Sequence, residues 1–65
     1  MDRGAIVEMA AHAVVSAWVA NGSSVEAVKV VCEENGVEYT EKLFNEVAEL
    51  AGRKWREASA AARAL

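Results

Sequence analysis

Sixty-five residues allow one domain at most, and a chain of that length buries only about 60% of the surface its unfolded form exposes, so its own core is marginal. A single cysteine excludes an intrachain disulfide, one histidine beside it falls short of a metal-ligand set, and a net charge of −3 disfavours nonspecific contact with nucleic acid or an anionic membrane. The apolar share of 54% against 6% aromatic puts the excess in Ala and Val, and with no proline and four glycines the chain reads as ordered almost end to end.

The first predicted helix runs over about 3–20, with Asp2 as its N-cap and Asn21-Gly22 as its stop, Gly22 being suited to the left-handed position past a helix end. Its apolar breadth is unusual. Ile6, Val7, Met9, Ala10, Ala13, Val14, Ala17 and Trp18 wrap more than half of the circumference, and Val15 and Val19 lie beyond them beside a narrow polar line of Glu8, His12 and Ser16. A helix apolar nearly all round is buried on more than one side. Two short companions offer little cover, so a second subunit is expected to supply the rest, at Val15, Trp18 and Val19 together with Trp55. The run is shorter than the roughly 20 residues of a spanning helix and is interrupted by Glu8 and His12, and no targeting segment is evident. Residence in the cytoplasm is the expectation, with no membrane association. The sequon Asn21-Gly22-Ser23 reads as a chance match in a turn.

Ser23 and Glu26 have the spacing of a capping box and open a second helix over about 24–34. Val25, Val28, Val31 and Cys32 line one face of it, and Glu26, Lys29 and Glu33 another. The valines alone would permit a strand, but the cap decides for helix. Asn35-Gly36 ends it, with Val37 placed to fold back onto Cys32.

Thr40 should cap a third and longest helix, over about 41–63, with Tyr39 and Phe44 in the positions of a hydrophobic staple. Phe44, Ala48, Ala51, Trp55, Ala58, Ala62 and Leu65 recur at alternating spacings of four and three, with Leu43, Val47 and Leu50 widening the face in its first half. Lys42, Asn45, Glu46, Glu49, Arg53, Arg56 and Arg63 occupy the other side. Past Gly52 the apolar face narrows, and the helix is expected to outrun what its own subunit covers. Gly52 itself costs about 1 kcal/mol relative to Ala in a helix, which implies a bend or a close backbone neighbour. The predicted fold is therefore all-α, a small three-helix domain with a long C-terminal helix, assembled as a homodimeric helical bundle.

Chemistry finds little purchase in this chain. Glu8 and His12 stand one turn apart but lack a third ligand or a nucleophile nearby, and Cys32 sits on an apolar face as a small hydrophobe. Gly22-Ser23-Ser24 lacks the lysine and second glycine of a phosphate loop. No catalytic residue, metal or cofactor is expected. Charge is unevenly placed, −6 over residues 1–52 and +3 over residues 53–65. Arg53, Lys54, Arg56 and Arg63 thus form a basic group that complements the helix dipole, pairs with Glu49 and Glu57 one turn away, or meets an acidic partner or phosphates. The expected function is non-enzymatic protein–protein interaction by a homodimer, a small regulator, adaptor or inhibitor. The alternative is a helix-turn-helix-like nucleic-acid-binding regulator, in which the third helix would enter the major groove with Glu41, Glu46 and Glu49 facing phosphates.

Overall fold

The computed structural model describes residues 2–64 and consists of three α-helices, α1 (Arg3–Val19), α2 (Ser24–Glu34) and α3 (Glu41–Ala64), with no strand among the described residues. Each helix starts at a side-chain cap. The carboxylate of Asp2 accepts from the Ala5 amide at 2.9 Å, the Ser23 hydroxyl from Glu26 at 3.2 Å, and the Thr40 hydroxyl from Leu43 at 3.1 Å. These bonds satisfy amides that the helix itself leaves without partners. The Glu26 carboxylate does not return to the Ser23 amide among the described hydrogen bonds, so half of the capping box forms. The exposed side chain of Glu26 is hydrated instead at little cost. Tyr39 and Phe44 pack at 6.3 Å between ring centroids, closing the staple ahead of α3.

Both helix ends that lead into turns are paired in the Schellman pattern. After α2, the Val37 amide donates to the Cys32 carbonyl at 2.9 Å and Gly36 to Glu33 at 3.3 Å, with Gly36 at φ +65°. After α1, Gly22 donates to Ala17 at 2.6 Å and Asn21 to Trp18 at 3.2 Å, and it is Asn21, not Gly22, that takes the left-handed conformation, at φ 58°. That corrects the expectation for Gly22. Asn tolerates this region better than most side chains, and the glycine falls one position later, where its backbone closes onto Ala17.

α1 is the shared wall of the fold. It packs against both α2 and α3, whereas α2 and α3 barely touch. Ala10, Ala11 and Val14 of α1 meet Val28 and Cys32 of α2 and Leu43, Val47 and Ala51 of α3 in one buried cluster, with Val7, Val15, Trp18, Val31, Phe44 and Leu50 packed around it. The apolar breadth of α1 is thus used within the chain, on two flanks by two helices. A second subunit is not needed to explain it. Val19 stays 71% exposed in line with the polar residues Glu8, His12 and Ser16.

The buried line of α3 differs from the predicted one. It is centred on Leu43, Val47 and Ala51; Phe44 and Ala48 lie at its edge, Trp55, Ala58 and Ala62 are exposed, and Leu65 falls outside the described residues. Alternating spacing picks out an arc but not its centre, and the bulk of Leu43 and Val47 pulls the contact toward them. Beyond Ala51 the helix leaves its companions. Its 24 residues span about 36 Å at 1.5 Å per residue, and the molecule measures 40 × 23 × 17 Å. The radius of gyration, 12.1 Å, exceeds the ~11 Å expected of a compact chain of this length. The accessible surface of 4476 Å² likewise exceeds the roughly 4,000 Å² typical of a folded monomer of this mass.

Two glycines give opposite forecasts. Gly36→Ala forces a Cβ into the left-handed region and should lower protomer stability by about 1 kcal/mol. At Gly52 a Cβ would meet nothing closer than the Arg56 guanidinium at 3.7 Å, so Gly52→Ala should raise stability by up to about 1 kcal/mol. Urea unfolding of both variants below the concentration at which copies associate, followed by circular dichroism, checks the pair.

Candidate functional site

The residues singled out for an interface divide between core and surface. Val15 and Trp18 are half-buried and packed on the hydrophobic cluster, while Val19 faces outward. Trp55, 42% exposed, presents its ring to Trp18 in an edge-to-face contact, with centroids 5.9 Å apart and planes at 86°. This pair joins α1 to α3, and its geometry matches the quadrupoles of the two rings. Trp55 therefore has one side against its own chain and one open to the surroundings.

The basic group also splits. Lys54 is half-buried and its Nζ lies 3.0 Å from the Glu8 carboxylate, joining α3 to α1. A second bridge, Arg3 to Glu46 at 3.0 Å, ties the same two helices nearer the start of each. Arg53, Arg56 and Arg63 are exposed, and none of them forms an ion pair among the described residues. The expected pairs of Arg53 with Glu49 and Glu57 are not made, and Lys29 lies 5.5 Å from the centre of the Tyr39 ring. Exposed pairs one turn apart gain only a few tenths of a kcal/mol, which the entropy of two long side chains readily offsets.

What the arginines do form is a recess. Trp55, Arg56, Ser59, Ala60 and Arg63 enclose about 270 Å³ along the outer half of α3. Its lining combines an indole face, a hydroxyl and two guanidiniums, a set suited to a carboxylate or amide carried on another surface. Ser59 and Ala60 are the members that the sequence analysis does not single out, and Ser59 supplies the hydroxyl. Its signal was position, since it falls between Arg56 and Arg63 on one side of the helix. The Glu8–Lys54 bridge, 46 residues apart in sequence, left no local mark.

Among the described residues no three His, Cys, Asp or Glu side chains gather as metal ligands, Cys32 is a buried free thiol, and no helix is long and apolar enough to cross a membrane. His12 and Glu8 both face outward on α1. No protein-family model matches the chain, and neither a curated protein nor a solved structure is similar enough to count as a match.

The tryptophan pair can be tested directly. Trp18→Ala removes a half-buried ring together with its contact to Trp55 and should cost about 2–3 kcal/mol, less than the 3–5 kcal/mol of a fully buried one. The fluorescence of the remaining Trp55 should move to longer wavelength in the folded variant, a shift read at low denaturant against the wild type.

Proposed function

We propose that this chain is a non-enzymatic helical interaction module that acts as a homodimer, a small regulator, adaptor or inhibitor working by occupying a protein partner's surface. The observation that carries the reading is the outer half of α3. The helix continues for more than three turns past Ala51, the last buried residue described on it, carrying Trp55, Ala58 and Ala62 uncovered along the side that would face a core. Isolated helix is marginal in water, and amphipathic helices gain most of their stability from packing. A helix projecting from a small core gains that packing when another surface covers it. Met9, Val25 and Val30 add separate exposed apolar side chains on the other helices, which supply further contact area for a protein ligand.

The recess lined by Trp55, Arg56 and Arg63 favours a second reading, a nucleic-acid-binding regulator. Two features weigh against a helix-turn-helix. The connection between α2 and α3 spans residues 35–40 and is longer than the usual three- or four-residue turn, and the two helices that such a motif packs together barely touch. Glu41 and Glu49 are also exposed in the first turns of α3, where phosphates would lie.

Light scattering over a concentration series should give twice the protomer mass in the micromolar range, with helicity unchanged on dilution only while the dimer persists. A fully folded monomer at 100 µM, roughly the upper end of that range, overturns the homodimer reading. Binding to duplex DNA that weakens with salt, and that is lost when Arg53, Arg56 and Arg63 become Ala, would favour the second reading; no binding at low salt removes it.

A further inference from the structure

We infer that the second copy docks along α3 antiparallel to its counterpart, about a two-fold axis passing beside Gly52; the inference rests on the homodimer reading and names the surface it uses. The starting point is that Gly52 has no close backbone neighbour inside the protomer. It stands in mid-helix, where glycine is unfavourable, yet its φ is ordinary and no backbone approaches it: the nearest atom to a Cβ there would be the mobile end of Arg56, at 3.7 Å. A backbone that no other backbone in the protomer approaches is what a second helix crossing closely would require.

The sequence on either side of Gly52 is complementary when the helix is laid against itself in reverse. Glu41 lies eleven residues before Gly52 and Arg63 eleven after; Asn45 and Ser59 lie seven away, and Ala48 and Arg56 four. At about 100° per residue all of these positions share an arc of roughly 80°. In an antiparallel pair each therefore meets its counterpart from the other copy. A carboxylate faces a guanidinium at both ends, an amide faces a hydroxyl further in, the Arg56 stem lies over the small Ala48, and glycine meets glycine at the axis. The contact is isologous, so it closes at two copies instead of growing into a filament.

The protomer leaves most of this seam open, with Ala48, Gly52 and Ser59 half-buried on it. Glu41, Asn45, Arg56 and Arg63 are exposed, and neither Glu41 nor Arg63 has an ion-pair partner among the described residues. The recess beside Trp55 lies on the same arc, opposite the position that Asn45 and Glu41 of a second copy would take. Charge at the scale of the whole helix agrees. The half of α3 before Gly52 carries Glu41, Glu46 and Glu49 against Lys42, and the half after it carries Arg53, Lys54, Arg56 and Arg63 against Glu57. Antiparallel packing sets unlike halves side by side, whereas parallel packing would set like against like.

Two sets of variants test the seam by sedimentation equilibrium of the full chain, with circular dichroism confirming the fold. Gly52→Lys puts bulk and like charge at the axis while improving helix propensity, and should shift the protein to monomer with at least a tenfold weaker association. Glu41→Arg should weaken association roughly five- to tenfold, because two attractive contacts become repulsive, and Arg63→Glu introduced together with it should restore wild-type association. A wild-type dimer whose Gly52→Lys variant associates as before, or whose charge swap shows no rescue, overturns this seam while leaving the homodimer reading intact. A folded wild-type monomer removes both.

Discussion

Three helices of unequal length are held together because one of them, α1, offers buried contact on two flanks. Ala10, Ala11 and Val14 reach the interior shared with Val28 and Cys32 on one side and Leu43, Val47 and Ala51 on the other, and α2 and α3 contribute almost nothing to each other. The arrangement depends on small residues. The buried alanines Ala10 and Ala11 leave room for the α1 backbone to come near its neighbours, and valines with one strongly preferred rotamer in a helix fill the remaining space at modest entropic cost. Among the described residues no polar side chain is buried and no buried side-chain nitrogen or oxygen lacks a partner. The core therefore carries no desolvation penalty, but it is also small. Leu43 is the largest fully buried side chain, and both tryptophans stay partly in solvent.

A core of that size makes the ends of the helices matter. All three helices begin at a side-chain cap, and two end in turns with paired carbonyls and a left-handed residue. Each such device contributes on the order of 1 kcal/mol, a large fraction of what so short a chain can hold in total. The bridges Arg3–Glu46 and Glu8–Lys54 add orientation more than stability. Their side chains are 37–59% exposed, so water and salt screen them, and what they do is set α1 against α3 in one register.

The contrast between what the sequence announced and what it concealed follows the range of the interactions. Asp2, Ser23, Thr40, Tyr39 and Asn35-Gly36 act on neighbours within a few residues, so helix starts and stops were legible from spacing alone. The apolar arc of α3 was legible as an arc, but its buried centre at Leu43, Val47 and Ala51 was not, because that depends on which side chains α1 presents. The breadth of α1 does not say from the sequence which surface covers it, and two helices of the same chain sit on two of its flanks. For the basic group, spacing suggested helix-internal pairs with Glu49 and Glu57; the fold instead sends Lys54 to Glu8 and leaves Arg53, Arg56 and Arg63 in solvent. An ion pair between residues distant in sequence has no local signature.

The outer half of α3 poses an energetic problem that the protomer does not solve. Past Ala51 the Trp18–Trp55 contact and the Lys54 bridge tie the helix to α1, while alanine at five of its last seven residues gives it the strongest intrinsic preference for helix that side chains allow. Such a segment persists as a helix by propensity and waits for contact, so little ordering entropy remains to be lost when a second surface arrives. Anything that binds this segment in its helical form also stabilises the domain, because binding to the folded state alone shifts the folding equilibrium toward it. In a chain whose core is already near the lower limit of size, the homodimer we propose would couple association to folding through one helix, and the charge divided between the two halves of that helix would select the antiparallel orientation.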